Sequence, residues 1–507
     1  MPYQFLKAFA VCLLAMLLIF AYEALHPHIP LLGQFESSHF WTGYKDPLPD
    51  STLSVPDSSE FVEALAEFEF DTIIVENDSS GPTRMIYKKG DTSFFKSEPI
   101  ALSIEDSLAL AELDKYTGIY HLNDFFNKMQ ELRQGKRKRV RIAYFGDSTT
   151  EGDMIVSDLR NLLQGIFGGR GVGFVSVAPH GTNFRRSIRH KPSDNWTTVN
   201  YFRKNQNAAF SFGLSGDYGS SAGASMNRAH KLSFKPASGS SFDKVYLFHG
   251  KGNEGIIPNV LAVLSGVDSV SYDLSGQEAV NKVIISEQKS NSVDLAFNFP
   301  AAFPIFGLSF ESDNGLLVDN LAKRSDSGSH FGRISKEVLS QFHEYLGFDL
   351  IILHFGANVL TSNTNYSFYE NVMIATVRHF QQAMGDIPVL LVGTSDRVIK
   401  AEGTEKTSPA VYGLLKAQKR AAVKTHSPFI DLFKLMGGEG TMLKWAKSGK
   451  AAPDYVHFSA KGANEVAKIV FDYLADGYEA YANEKIKAPK PGLMTDALQE
   501  HKVKTGQ

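Results

Sequence analysis

Residues 141–153 read RIAYFGDSTTEGD. An apolar run of the kind found in strands buried on both faces ends at Gly146, and a serine flanked by acids follows at once. Beyond it, SDLRNLLQGIFGG has helical spacing, so Ser148 stands at a strand-to-helix turn. In open α/β sheets the crevice outside the carboxyl ends of the strands is where ligands bind, and such a turn delivers a side chain there.

The same grammar continues on both sides. Upstream, LNDFFNKMQELRQGK places Leu122, Phe125, Phe126, Met129 and Leu132 on one helical face, with Gly135 as a stop. Downstream, ISKEVLSQFHEYLG reads as a helix, FDLIILHFGAN as a strand ending at Asn358, FYENVMIATVRHFQQAM as a helix and IPVLLVGTSD as a strand. PAVYGLLKAQKRAAVKTH is helical, SPFIDLF is a short strand, and a closing helix begins after Ser459, a good N-cap. Strands alternating with helices at these lengths predict an α/β fold, a parallel sheet covered on both faces in three α/β/α layers.

Residues 171–321 are different. GFVSVAP, AAFSFGLS, HKLSFKP, DKVYLFHG, NVLAVLSG, SVSYDLS, VDLAFNF and FGLSFES are short strand-like pieces separated by Gly, Ser and Asn turns. They predict a β-sandwich or jelly roll inserted into the α/β domain, which then occupies 114–170 and 322–483. Residues 25–113 read as a linker and a small region with a hairpin in DTIIVEN and TRMIYKKGDTSFF, and 484–507 as a tail.

Lys7 followed by the apolar stretch from Ala8 to Tyr22 makes residues 1–24 an N-terminal membrane anchor helix, read as an uncleaved signal anchor in preference to a cleaved signal peptide. The short side carries the lysine, so the body is expected to be exported to the periplasm or cell surface. Cys12 is the only cysteine, which leaves the exported part without thiols or disulfides. A net charge of −3 with 21% charged residues excludes a large basic surface, so no nucleic-acid partner is expected.

Three segments carry the residue types that ester hydrolysis by serine requires. A serine hydroxyl is a weak nucleophile until a base takes its proton, and the base needs a carboxylate to fix its tautomer. PDYVHFSAKG supplies Asp454 and His457 in one short loop ahead of a helix. The oxyanion formed on attack needs donors set in advance, and the Ser148 amide, Gly328 in RSDSGSHFG and Asn358 in HFGAN are the candidates.

This set resembles the SGNH (GDSL-type) hydrolase family, with GDST, SDSG, GAN and DYVH in the family's chain order. The resemblance implies Ser148 as nucleophile, Ser148, Gly328 and Asn358 as the oxyanion hole, Asp454 as the acid that orients the base, and His457 as the base. More narrowly, the anchor and the β-rich insert resemble peptidoglycan O-acetylesterase-like proteins, in which the insert is similar to a carbohydrate-binding jelly roll. The implied reaction is removal of O-acetyl groups from peptidoglycan or another acetylated glycan through an acyl-serine. The alternatives are a non-catalytic glycan-binding envelope protein with a degenerate hydrolase domain, and an O-acetyltransferase using the same triad.

Neighbouring features get plainer readings. Glu151 and Asp153, with Asp147, are taken as first-turn acids favoured by the helix dipole and not as a metal site. GGRGVGF follows a helix and precedes a strand, the wrong order for a dinucleotide loop, and His330, His354 and His426 have no spaced partners, so no cofactor and no metal is expected. Trp196, Tyr201 and Phe202 are read as sugar-stacking side chains or, equally, as sandwich core. GKRKR at 135–139 is read as a solvated edge.

Overall fold

The computed structural model describes residues 72–76, 84–88, 103–177, 185–202, 208–221, 228–237, 241–252, 255, 257–266, 269–360, 365–401 and 403–483. The chain divides into two units, Met1–Glu60 and Phe61–Gln507, and every described residue lies in the second. The expected anchor, residues 1–24, and the tail, 484–507, lie outside the described residues. Among those described, no helix is long and apolar enough to cross a membrane.

The opening stretch forms β1, Arg139–Gly146, buried from Val140 onward. Four strands join it in one parallel sheet: β2 (Gly315–Asn320), β3 (Leu350–His354), β4 (Val389–Val392) and β5 (Phe429–Ile430), in the order β2-β1-β3-β4-β5. The numbering runs outward in opposite directions from β1, so the chain reverses its winding between β1 and β3. That is the topological switch point, where neighbouring loops part and leave a crevice.

Two helical layers cover the sheet, as the alternation along β1 requires. Val140, Ile142 and Tyr144 face one cluster with Phe125, Phe126 and Met129 of α1 (Asn123–Arg133), Ile155, Leu159 and Leu163 of α3 (Met154–Phe167) and Val466, Val470 and Leu474 of α7 (Ala460–Ala482). Ala143 and Phe145 face the other, with Leu339 and Phe342 of α4 (Lys336–Leu346), Val372 and Phe380 of α5 (Ser367–Met384) and Leu414 and Ala421 of α6 (Ala410–Lys424). The short helix α2 (Ser148–Glu151) caps β1. Within the region read as linker, helix Ile104–Ala111 begins with a Ser103–Asp106 capping box, and Asp106 also bonds His426 Nε2 at 3.1 Å, tying this helix to the α/β domain.

The insert consists of two antiparallel sheets. One holds Val270–Asp273, Asn259–Leu264, Val293–Asn298, His230–Pro236 and Ile188–Pro192; the other holds Asn281–Ser286, Lys244–His249, Ile305–Glu311, Asp217–Ser220 and Thr197–Asn200, with Gly173–Ser176 added beside Ile305–Glu311. Leu232, Val260, Leu295 and Phe297 of the first sheet share one core with Val245, Leu247, Leu308 and Phe310 of the second, so the two are layers of a sandwich. Phe174, Phe248 and Phe306 from the insert all meet Phe342 of α4, with ring centroids 5.5–5.7 Å apart.

Three readings change, and one left open is decided. Gly315–Asn320 was expected within the insert up to residue 321, yet it is the edge strand β2 of the parallel sheet. AAFSFGLS was expected as a strand and forms none, because Ala208, Phe212 and Leu214 pack as a loop onto the core of the α/β domain. Trp196 is core: it is 8% exposed, packed edge-on to His230, Phe297 and Phe299. Tyr201 is buried in a different core, that of the α/β domain, and Phe202 packs against it. The GKRKR segment is a solvated edge only in part: Gly135, Lys136 and Lys138 are exposed, but Arg137 bonds Asp349 at 2.8 Å and Arg139 pairs with Glu311.

Beneath that last pair lies a buried network. Arg141 on β1, 1% exposed, donates from Nε to Asp319 at 2.6 Å, from Nη1 to Glu311 at 2.5 Å and from Nη2 to Ser309 at 2.8 Å. One guanidinium thereby joins β1, β2 and the insert. Gly173 approaches so closely that an added Cβ would lie 1.8 Å from Asp319 Oδ1, and its φ of +71° also demands glycine.

Candidate active site

β1 ends at Gly146, where an added Cβ would lie 2.9 Å from Thr150 Oγ1 and 3.1 Å from the His354 carbonyl. Only glycine lets the chain turn here between β3 and α2. Asp147 then caps α2, accepting from the Thr149 amide at 2.9 Å, the Thr149 hydroxyl at 2.8 Å and, across the crevice, the Ala357 amide at 3.3 Å. Burial pushes the Asp147 carboxyl up, against the pull of these donors and of His457. A single carboxylate therefore fixes the loop after β1 to the loop after β3.

Ser148 is the first residue of α2 and half-buried. Its Oγ lies 3.0 Å from His457 Nε2, although 309 positions separate the two in sequence. His457 Nδ1 lies 2.7 Å from Asp454 Oδ2. Asp454 Oδ1 accepts the amides of Val456 at 2.9 Å and His457 at 3.0 Å, which folds the segment into a tight loop with Tyr455 at φ +57°. Burial would raise the Asp454 carboxyl, but the His457 side chain and those two amides bring it down to about 2. The loop is pinned at both ends: Ala452 donates to the His457 carbonyl at 2.8 Å, and Ser459 caps α7. The His457 and Asp454 side chains remain 40% and 45% exposed, so the site opens to solvent.

Of the oxyanion candidates, the Ser148 amide, at the first position of a helix, has no acceptor within α2. Asn358, half-buried after β3, donates from Nδ2 to the Asp326 carbonyl at 3.1 Å, which leaves its second amide hydrogen. Gly328 differs from the expectation. Its amide donates to Asp326 Oδ1 at 2.9 Å, closing a side-chain turn over residues 326–328. Asp326 Oδ2 in turn accepts the Tyr201 hydroxyl at 2.6 Å, so a side chain of the insert holds this loop.

The nearby acids are engaged structurally. Glu151 bonds Arg324 at both the backbone amide and Nε, each at 3.1 Å. Asp153 is buried, where burial raises its carboxyl while Arg160 and Arg185 pull it below the usual range. It pairs with Arg160 at 3.2 Å and accepts from Asn320 at 3.2 Å. The plain reading of these acids therefore stands on charge pairing more than on the helix dipole. His354 bonds Tyr144 at 2.9 Å. Among the described residues no group of three or more His, Cys, Asp or Glu is arranged to hold a metal ion.

Sequence reading missed a hairpin at the rim, Val398–Ala401 with Thr404–Thr407, whose turn carries Gly403 at φ +78°. Alternating residues on either side of a glycine-bearing two-residue turn were the available signal. Glu405 of this hairpin accepts the Tyr455 hydroxyl at 2.8 Å, next to Asp454. Arg397, just before the hairpin, was not singled out either.

With this geometry in hand, the chain can be set beside known proteins. No family model and no curated protein matches it. Among solved structures it is similar to a peptidoglycan O-acetylesterase, at 22% identity over 70% of this chain and 96% of that one, with a TM-score of 0.57. The chain has an SGNH hydrolase-like fold. This SGNH-like chain is also similar, with TM-scores of 0.23 and 0.24, to a family two carbohydrate esterase from Cellvibrio japonicus and a GDSL-like lipase from Parabacteroides merdae. The identities are 9% and 12%, over 57% and 32% of this chain and 99% and 73% of theirs.

Proposed function

We propose that this protein is a serine esterase that removes O-acetyl groups from peptidoglycan or another polysaccharide. The observation that carries the reading is the continuous hydrogen-bonded chain from Ser148 Oγ through His457 to Asp454. His457 Nε2 takes the Oγ proton as Oγ attacks the acetyl carbonyl carbon. The oxyanion is met by the Ser148 amide and the free hydrogen of Asn358, donors held in place before reaction. Collapse breaks the bond to the sugar oxygen, which receives the proton from His457 and leaves as the alcohol. Water, deprotonated by His457, then attacks the acetyl-serine; acetate departs and Oγ regains its proton. Asp454, ionised down to about pH 2, keeps the imidazole oriented throughout.

A glycan substrate is supported by the likeness to a peptidoglycan O-acetylesterase and by the open site, which admits an ester carried on a polymer. Export and anchoring rest on Lys7 and the apolar stretch from Ala8 to Tyr22. Fusing residues 1–24 to alkaline phosphatase, which folds only outside the cytoplasm, is expected to give an active reporter.

Ser148→Ala is expected to lower release of p-nitrophenol from p-nitrophenyl acetate, and of acetate from O-acetylated peptidoglycan, by at least about 10³-fold, with circular dichroism unchanged. Equal rates for the wild type and Ser148→Ala would dispose of the esterase reading. Comparing acetate released from peptidoglycan and from acetylated xylan assigns the polymer.

A further inference from the structure

We infer that Arg397 binds a carboxylate on the acylated glycan, so that the substrate of this site is an acidic sugar. The inference rests on the esterase reading and deepens it.

Topology places the residue. Ser148 follows β1 and Asn358 follows β3; Arg397 follows β4, the next strand along the same carboxyl edge. Its backbone is clamped. The neighbouring Asp396 accepts the Thr407 hydroxyl at 2.7 Å and the Met442 amide at 2.9 Å, and the Arg397 carbonyl accepts the Ser408 amide at 2.8 Å. The hairpin that starts beside it is fastened to the base-bearing loop through Glu405 and Tyr455. Arg397 is therefore held at a set position relative to His457.

Its side chain is half-buried, yet the guanidinium makes no hydrogen bond among the described residues. Burial lowers its proton affinity and the charge of Asp454 restores part of it, so the two are electrostatic neighbours. Asp454 makes no hydrogen bond to it: Oδ1 takes the amides of the loop and Oδ2 faces His457. The guanidinium nitrogens reach solvent with the donor fork unfilled, and their planar geometry matches a carboxylate in bidentate fashion. On the opposite flank, beyond β2, Arg324 spends Nε on Glu151 and leaves the rest of a 57% exposed guanidinium to solvent. Cationic side chains therefore follow β4 and β2 along the carboxyl edge of the sheet, where a glycan lying across the strand ends meets them.

The test separates binding from turnover. In the full chain carrying Ser148→Ala, titration with N-acetylmuramic acid and N-acetylglucosamine compares two sugars that differ by the lactyl carboxylate. We expect at least tenfold tighter binding of the acidic sugar, and loss of that preference when Arg397→Gln is added. Muramyl dipeptide, in which the lactyl carboxylate is an amide and the acid lies on the peptide, is expected to bind no more tightly than N-acetylglucosamine; Arg397-dependent binding as tight as that of N-acetylmuramic acid overturns the inference. Binding of neither sugar, of both equally, or a preference that survives Arg397→Gln overturns the inference. In the active protein, Arg397→Gln is expected to lower kcat/KM at least tenfold more for O-acetylated N-acetylmuramic acid, whose lactyl carboxylate is free, than for p-nitrophenyl acetate, through KM, with Arg397→Lys intermediate. An equal loss on both substrates means that Arg397 serves the triad instead, and also overturns it. A wild type that hydrolyses neither ester sinks the esterase reading, while the titration still decides whether Arg397 selects carboxylates.

Discussion

At the scale of single residues, the site is assembled from short local rules. Ser148, Asn358, Asp454 and His457 were legible because each sits in a motif a few residues long at a strand or helix end, and the structure brings Ser148 and His457 to 3.0 Å. Gly328 was less legible, because its amide is spent on the carboxylate of Asp326, an Asx-turn that the Asp-Ser-Gly sequence permits without announcing. Arg397 carried no signal, since an unpartnered guanidinium exists only once the surrounding chain is folded. His457→Ala is expected to cost about as much in kcat as Ser148→Ala, and Asp454→Ala about tenfold to a hundredfold less, because orienting a base is a smaller contribution than being one. Asn358→Ala is expected to lower kcat about 10²–10³-fold with KM nearly unchanged, the mark of a donor that acts on the transition state. Steady-state kinetics on p-nitrophenyl acetate checks all three.

At the scale of elements, periodicity was a good guide to the hydrolase helices and central strands and a poor one to the insert. Ile188–Pro192, Thr197–Asn200, Asp217–Ser220 and Asn281–Ser286 went unread, because they are rich in polar residues and draw their strand character from neighbours in the sheet. The sandwich core also contains histidines, whose types do not advertise burial. Both ring nitrogens of His190 lack partners, as does Nε2 of His249. Burial, aided by Arg185, lowers His190 to about 3, and burial lowers His249 to about 4. The sign follows from linkage: an unfolded histidine takes its proton near pH 6.5, whereas the folded ones resist until well below that. The stability they contribute is complete above pH 6.5 and is lost as pH falls toward 4. Melting of the insert, followed by near-ultraviolet circular dichroism, is expected to move to lower temperature between pH 7 and 4.5, and His190→Leu is expected to flatten that dependence.

At the scale of the molecule, the insert and the hydrolase domain are joined by more than chain connection. Arg141 bridges β1, Asp319 on β2 and Glu311 of the insert, and Phe342 packs into three phenylalanines across the same boundary. Removing one partner of a buried ion pair leaves the others uncompensated, so Arg141→Ala is expected to lower stability by about 3–5 kcal/mol. Calorimetry is expected to show one transition for the wild type and two for this variant. Sequence gave no hint of the joint, because an arginine in a strand that reads as apolar looks like an edge residue until its acids arrive from distant segments. The late position of β2 in the chain also bears on biogenesis. Until residues 315–320 are made, β1 has no partner strand and Arg141 lacks the Asp319 carboxylate. The strand that leads into Ser148 must therefore wait for the whole intervening sandwich to be synthesised, and a nascent chain stalled before that point exposes a sticky edge to chaperones and proteases.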